Sequence, residues 1–508
     1  MTFQPAFTRD TRARNLERLR RESFDVLVLG GGINGAGIAR DLALRGLKVA
    51  LVEQHHFASG TSGKNSQLIH GGLRYLKFLQ FHLVRESLRE RASLLRLAPH
   101  LVTPQPFLMP MYGWPSRIFY GTGLWIYDLL AGKSNIGRHR MLSSAEVGKL
   151  EPGLARYGLT HGAIFYDCQI HSARFVLENI WDASRHGAVV VNYARADRQN
   201  GGVAITDKLS GESFPLQAAQ WVDATGAWAS GENLRLVRGS HIVIPRVNAS
   251  DNAVAYFEDA GRIIFVIPWG SVRQLSLVGT TDVDHTSGPD NVRISPEETA
   301  YLLGIVRRLF PSARDTTPIS TFSSLRPLIR TGASSATATS REHRIWKAPG
   351  GVVHVAGGKY TTYRAMSEEA ADLISSVPST TADKPLGGNS KQQIDALLGS
   401  VPEIAARHSL TAQEAEHLVR NYGVQTPNLL TYLPQSARPA LTRAESAQIA
   451  FAVEHEMAET LADLMFVSTY WGYELRWTRE SLMPIAEELG RRLAWDSSKI
   501  AAQISAFL

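Results

Sequence analysis

Gly30, Gly32 and Gly35 fall at G-x-G-x-x-G spacing, and an acidic residue, Glu53, follows the third glycine by 18 positions. In such a pattern the first glycine permits a tight turn. The second lets backbone approach a pyrophosphate, and the third lets a helix pack close to a strand. A helix N-terminus with unpaired N–H groups then faces the phosphates. The Glu53 carboxylate can accept ribose hydroxyls, and it would repel the extra phosphate of NADP. The chemistry is dinucleotide binding, although the motif by itself does not separate NAD from FAD. The elements that must hold these residues surround them. Residues 26–29 are an apolar run long enough for a buried parallel strand, Ile33, Ile38, Leu42 and Leu44 can line a helix face, and residues 49–52 read as a second strand.

Of 508 residues, 44% are hydrophobic and 20% charged, the composition of an ordinary globular protein with room for two or three domains. Lys plus Arg number 54 against 47 Asp plus Glu, a formal net charge of +7. An anionic substrate or an anionic lipid surface accounts for that excess as well as nucleic acid does. Cys168 is the only cysteine, which excludes an intrachain disulfide or a multi-cysteine metal site and fits a reducing cytoplasm. The sequence has no N-terminal apolar h-region and no run of 18 apolar residues, so neither secretion nor a membrane span is expected.

Residues 8–22 are Arg-rich with little apolar content and read as a solvated helix or arm, able to dock on a membrane or partner through its charge. Residues 58–66 are small and polar, as suits a loop whose backbone lies near a ligand, while His55 and His56 read as surface-loop residues. Gly71 and Gly72 imply another close backbone approach, and residues 81–97 have helical spacing with mostly solvated arginines. Residues 104–137 gather Phe107, Trp114, Ile118, Phe119, Trp125 and Leu129 among other apolar side chains, flanked by Arg117, Lys133 and Arg138. Two readings stay open there: a helix packed in a domain interface, or a segment lying in a membrane interface.

Segments 188–193, 203–206 and 219–223 read as strands with turns at Gly201, Gly202 and Gly211. The third runs into Thr225 and Gly226, as the second half of a doubly wound nucleotide fold requires. Segments 239–245, 263–268 and 276–279 alternate with Pro and Gly turns, as a mainly antiparallel sheet would. Residues 352–356 form a buried strand that ends in Gly357, Gly358 and Lys359 and opens a helix reaching residue 374. Residues 376–393 read as a linker. Beyond them the periodicity is almost only helical, with breaks near Pro427, Pro434 and Pro439.

Four blocks carry a resemblance: GGGINGAGIARD, SQLIHGGLRYL, RGSHIVIPR with IPWG and VGTTDVD, and RPL with GGKYTTYR. Together they resemble the FAD-dependent, quinone-linked glycerol-3-phosphate dehydrogenase family. The first block is shared by many flavoproteins; LIHGGLRYL and GGKYTTYR in one chain are far more specific. Residues 451–473 resemble the family's C-terminal helical domain, so the likeness covers most of the chain. It implies an α/β fold in which a Rossmann-type FAD-binding domain interleaves with an antiparallel-sheet substrate domain, followed by an all-helical C-terminal domain. The expected division is a basic arm at 1–23, an FAD-binding domain from 24–102, 155–238 and 318–376, a substrate or cap domain from 103–154 and 239–317, a linker at 377–393 and a helical domain at 394–508.

The resemblance also implies oxidation of sn-glycerol 3-phosphate to dihydroxyacetone phosphate by hydride transfer to FAD, with quinone as acceptor. The protein is then expected to be cytoplasmic, held peripherally at an anionic membrane surface on the inner face of the cell membrane. For FAD the implied contacts are Gly30, Gly32, Asn34, Gly35, Glu53, Thr61, Ser62, Thr225 and Gly226, with Gly357, Gly358 and Thr361 toward the isoalloxazine. A phosphomonoester near charge −2 needs several cationic donors, and Arg offers a bidentate fork. Arg326 and Arg341 match the family's phosphate positions, and Arg74, Tyr75 and Thr280 match further substrate-side positions. Loss of a hydride from a carbinol carbon requires removal of the hydroxyl proton, a task that suits His at neutral pH. His70 and His241 sit in matched blocks, and Lys359 is the rival base if its pKa is depressed.

Two positions depart from the family pattern. Gln67 stands where the family usually has Lys, which weakens phosphate or flavin electrostatics or signals a changed substrate. Val467, Ser468 and Thr469 replace a usual Arg pair before Thr, which puts in question a contact from the C-terminal domain to the active-site half. An oxygen-using glycerol-3-phosphate oxidase and an FAD dehydrogenase of a related polyol phosphate stay open. From another class, a flavin-bearing nucleic-acid-binding protein is disfavoured by the dispersed cations. Oligomeric state is not readable, and a homo-oligomer stays open.

Overall fold

The structure, a computed structural model, describes residues 7–112, 114–199, 202–229, 234–258, 262–271, 274–330, 341–435 and 440–508. The start of the arm, the turn residue Gly201 and the break at Pro439 lie outside them.

The strand Ser23–Leu29 pairs in parallel with Val49–Val52 on one side and with Ser213–Asp223 on the other. Val189–Val191 extends the sheet beyond the first neighbour, and Val353–Gly357 extends it beyond the second, both in parallel. The strands are apolar on both faces: helices cover one, and helix Arg9–Arg21 with the antiparallel strands Ala194–Gln199 and Gly202–Asp207 covers the other. Helix Ile33–Leu44 packs between helices Ser172–Arg185 and Tyr363–Asp372 on one face. At Gly35 a Cβ would run into the Gly30 carbonyl oxygen, so only glycine lets this helix lie so close to its strand.

The second sheet is mainly antiparallel. Its strand order runs Val283–Asp284, Leu234–Pro245, Leu275–Gly279, Ile263–Trp269, Ala253–Phe257, Val102–Tyr112, Leu159–Ile170 and Leu68–Ile69. Ser320–Ile329 pairs along Leu234–Pro245, and Ala253–Phe257 pairs in parallel with Val102–Tyr112. One continuous apolar core joins the two sheets, with Val28, Leu51 and Val222 from the first and Phe107, Phe165 and Leu277 from the second.

Several expectations need correction. Residues 159–170 and 320–329, assigned from sequence to the nucleotide-binding part, belong to the second sheet, because their partners are Val102–Tyr112 and Leu234–Pro245. The arm is a helix solvated on one face only. In helix Arg9–Arg21, Arg12 is buried against Asp207 at 2.6 Å and donates to the Asn192 carbonyl, and Leu19 is buried. The segment read as a linker packs, with Leu386 and Asn389 buried beside Glu178. In helix Phe81–Leu97, Arg85, Arg89 and Arg96 are exposed as expected, and Arg91 is the exception, buried and paired with Asp167.

Helices Lys391–Gly399 through Ser497–Phe507 form the C-terminal helical part. Its contact with the active-site half is present despite the missing Arg pair. The Tyr470 hydroxyl donates to the Gly63 carbonyl and meets Gln67 Oε1 at 3.1 Å, while the Ala173 N–H donates to it. Arg174 and Glu456 close a buried ion pair at 2.6 Å across the same interface.

Candidate active site

The strand end at Leu29 delivers the chain into the glycine turn. Gly32 precedes the first turn of helix Ile33–Leu44 and offers no side-chain acceptor, which leaves N–H groups of that turn for a phosphate. The loop of small residues folds back over this turn, so that Ser62 Oγ accepts from the Ile33 N–H at 2.9 Å. Glu53 at the end of Val49–Val52 accepts from the N–H groups of Gly31 at 2.7 Å and His55 at 2.8 Å. Its carboxylate is thereby fixed at the mouth of the turn, with lone pairs left for hydroxyl donors.

From this turn a cavity of about 610 Å³ runs between the two sheets. Gly30, Gly32, Asn34, Glu53, Thr61, Ser62, Thr225, Gly226, Gly357 and Gly358 line it, and so do His70, His241, Lys359, Arg74, Tyr75, Thr280, Arg326 and Arg341. Two of the residues singled out from sequence do not. Gly35 acts behind the turn, in the helix packing described above. Thr361 is buried with its hydroxyl exchanging hydrogen bonds with the His70 backbone, which fixes the His70 turn. His56 is buried against Asn192 and is no surface-loop residue, whereas His55, half-buried in its loop, lines the cavity.

The far wall is cationic. Arg326 comes from Ser320–Ile329, Arg74 from the turn Leu73–Phe78, and Arg341 from the approach to His343–Lys347. All three converge on Asp282: Oδ1 accepts from Arg326 Nη1 and Arg341 Nη2, each at 3.0 Å, and Oδ2 accepts from Arg74 Nη1 at 3.3 Å. Arg326 also donates to Thr280 Oγ1 at 2.6 Å and to the Thr281 carbonyl at 3.0 Å. Burial pushes Arg326 down to about 10, Asp282 opposing and the other two arginines adding to the fall. Burial would raise the Asp282 carboxyl, but the guanidiniums of Arg326, Arg341 and Arg74 outweigh it and hold the group below the usual carboxylate range. Two glycines inside strands make room for these side chains. A Cβ at Gly239 would run into the Arg326 guanidinium, and one at Gly279 into the His241 ring.

Lys359 extends from the glycine pair that ends Val353–Gly357. Its ammonium donates to Ser87 Oγ at 2.7 Å and the Leu83 carbonyl at 3.2 Å, and lies 4.7 Å from the centre of the Tyr75 ring. Burial is the main cause that brings it down to about 8. His241 is buried, stacked on Phe322, with Nε2 at 2.8 Å from Ser66 Oγ; burial and Arg326 bring it down to about 3. The His70 ring is held by no hydrogen bond among the described residues, and burial lowers its pKa from the ordinary value. Beneath it, Asp167 Oδ1 gathers the Gly71 N–H at 3.0 Å, Arg91 at 2.7 Å and the Tyr127 hydroxyl at 2.8 Å. Gln67 is buried behind the cavity, where Oε1 accepts from the Ser172 N–H. Sequence reasoning had not singled out Asp282, Asp167 or Ser66. The acidic residue closing GTTD, inside a block that carries the family resemblance, was the available signal for the first.

A parallel nucleotide-binding sheet whose phosphate turn opens into a cavity with a titratable and cationic far wall defines a dinucleotide-dependent oxidoreductase. The sequence model of FAD dependent oxidoreductases matches residues 25–373, and that of the C-terminal domain of alpha-glycerophosphate oxidase matches residues 379–500. A glycerol-3-phosphate dehydrogenase of Synechocystis is 35% identical over 503 residues, covering 89% of each chain. An aerobic glycerol-3-phosphate dehydrogenase of Staphylococcus aureus is 33% identical, over 81% of this chain and 80% of its own. The solved glycerol-3-phosphate dehydrogenase of Bacillus halodurans, complexed with FAD, superposes with a TM-score of 0.80 at 26% identity, over 98% of this chain and 96% of the other. The chain belongs to the glycerol-3-phosphate dehydrogenase family of FAD-dependent oxidoreductases. Its cofactor is FAD, which the glycine turn, the glycine at the helix start and Glu53 fit.

Proposed function

We propose that this enzyme oxidises sn-glycerol 3-phosphate to dihydroxyacetone phosphate. The observation that carries the reading is the convergence of Arg74, Arg326 and Arg341 on one wall of the FAD cavity, the donor set a phosphomonoester needs. FAD, when bound, supplies the hydride acceptor. The arginines hold the phosphate and so orient the carbinol carbon. His70 is the base: its ring is neutral at pH 7, uncommitted and at the cavity wall, whereas His241 at about 3 is a weak proton acceptor already engaged with Ser66. Lys359, still largely protonated at pH 7, contributes positive charge beside Tyr75. Gln67 bears on the tyrosine of the C-terminal part and not on the cavity, so its departure from the family pattern leaves the phosphate site intact.

We further propose that electrons leave to a membrane quinone, with the protein docked peripherally through helix Trp114–Ala131. Ile118, Phe119, Trp125 and Leu129 are all at least 58% exposed on it, and Leu79 and Phe81 are exposed on the neighbouring segment. Among the described residues no helix is long and apolar enough to cross a membrane. Anaerobic mixing of the holoenzyme with a panel of phosphorylated polyols and 2-hydroxy acids tests the substrate: bleaching by glycerol 3-phosphate and not by the hydroxy acids is expected. Loss of binding to anionic vesicles in Trp125→Glu, with flavin reduction unchanged, tests docking. Reoxidation of the reduced flavin by oxygen within one turnover would replace the quinone reading with that of an oxidase.

A further inference from the structure

We propose that Asp282 is the positioning residue of the anion site: its carboxylate arrays three guanidiniums from separate parts of the chain before substrate arrives. The proposal rests on the phosphate reading of the arginine wall given above. Arg74 and Arg326 stand 252 positions apart in sequence, and no helix or strand carries them together. What they and Arg341 share is Asp282, through contacts of 3.0 to 3.3 Å to its two oxygens. The side chain is buried, at 3% exposure, so the charge stays in a poorly solvated setting. Such a carboxylate is costly to hold unless it is paired, and cations gathered there repel one another unless an anion sits among them. Each half of the arrangement therefore stabilises the other.

Three guanidiniums and one carboxylate leave this cluster a net +2, to which Lys359 in the same cavity adds at pH 7, so a phosphomonoester dianion meets surplus positive charge. Each guanidinium carries five N–H donors, so engagement with Asp282 leaves donors over for phosphate oxygens. Arg326 has further bonds to Thr280 Oγ1 and the Thr281 carbonyl, from the two residues that precede Asp282. The turn that carries Asp282 thus sets the orientation of the guanidinium fork, and through it the position of the carbon that loses hydride.

Removing the charge and keeping the shape separates affinity from orientation. In Asp282→Asn the site gains one net positive charge but loses the anchor that fixes its geometry. The full-length holoenzyme, titrated with inorganic phosphate through the flavin spectrum, is expected to bind phosphate at least as tightly as wild type. Its kcat with glycerol 3-phosphate is expected to fall roughly 30- to 100-fold, the scale of a misplacement of about 1 Å, with FAD content unchanged. Asp282→Glu should recover about tenfold of that loss. A kcat within threefold of wild type in Asp282→Asn overturns the proposal, as does a fall in phosphate affinity that parallels the fall in kcat. If Asp282→Asn fails to retain FAD, Asp282→Glu decides: phosphate affinity near wild type with a reduced kcat supports positioning, and unchanged kcat refutes it. A wild-type flavin that phosphate perturbs but glycerol 3-phosphate does not reduce would sink the substrate reading alone. The phosphate titration of Asp282→Asn would then judge Asp282 by itself.

Discussion

The alkaline limb of activity should belong to Lys359. Burial and neighbouring positive charge bring this ammonium from 10.5 to about 8, and at ~1.4 kcal/mol per pH unit the charge costs about 3 kcal/mol to keep there. With a pKa of about 8 the side chain is charged about ten to one at pH 7 and neutral about ten to one at pH 9. If its charge supports the reaction, kcat/KM for glycerol 3-phosphate falls about tenfold between those two pH values. Substituting Lys359→Met removes the charge outright. Taking an effective dielectric of about 20 and a separation of roughly 5 Å, one unit charge is worth about 3 kcal/mol, so a loss of about 100-fold at pH 7 is expected, with no alkaline limb left. Lys359→Arg keeps a charge throughout the accessible range. Its absolute rate falls because the planar fork fits the Ser87 and Leu83 acceptors differently, but its rate should stay level from pH 7 to 9. The assay is anaerobic stopped-flow reduction of the bound flavin across pH. An alkaline fall near pH 8 that persists in Lys359→Arg would refute the assignment.

Three further outcomes follow from the same geometry. His70→Asn should lower the flavin reduction rate about 10²- to 10⁴-fold and abolish the acid limb, which in the wild type lies below pH 6.5 because burial lowers the imidazole pKa; pH profiles of single-turnover reduction check it. Gly35→Val should yield protein without FAD, since a Cβ there meets the Gly30 carbonyl oxygen and the Val28 side chain; the ratio of flavin to protein absorbance is the readout. Arg174→Ala should cost about 3–5 kcal/mol, because it leaves Glu456 buried without its charge partner; urea unfolding of the holoenzyme measures it, and a loss below about 1 kcal/mol would contradict the interface described.

Local signals made the nucleotide half legible. Strand, glycines, helix, strand and Glu53 lie within about 30 residues, and each constrains the next through a short connection. The C-terminal helical part was equally plain from its period. Long-range pairing was not. Leu159–Ile170 carries an apolar pattern that suits either sheet, and only its partner Val102–Tyr112 decides between them. The N-terminal helix was misjudged for a related reason: Arg12 reads as a surface charge until Asp207 and Asn192 meet it from far along the chain. In the site, residues carried by dense motifs came together at one cavity, while Asp282 and Asp167 went unremarked because a single carboxylate has no spacing. Thr361 lay beside the right glycines, yet one turn of backbone directs its hydroxyl to His70 instead of the cavity. Gln67 likewise looked like a change in the binding wall and is instead part of the seam with Tyr470.

One anaerobic single-turnover measurement tests the proposed reaction most directly: reduction of the bound FAD by sn-glycerol 3-phosphate and by its analogue deuterated at carbon 2, with unphosphorylated glycerol alongside. Complete bleaching by the phosphate ester, slowed by deuterium and absent with glycerol, is the predicted result. A flavin that stays oxidised with glycerol 3-phosphate, or that glycerol reduces as quickly, would contradict it.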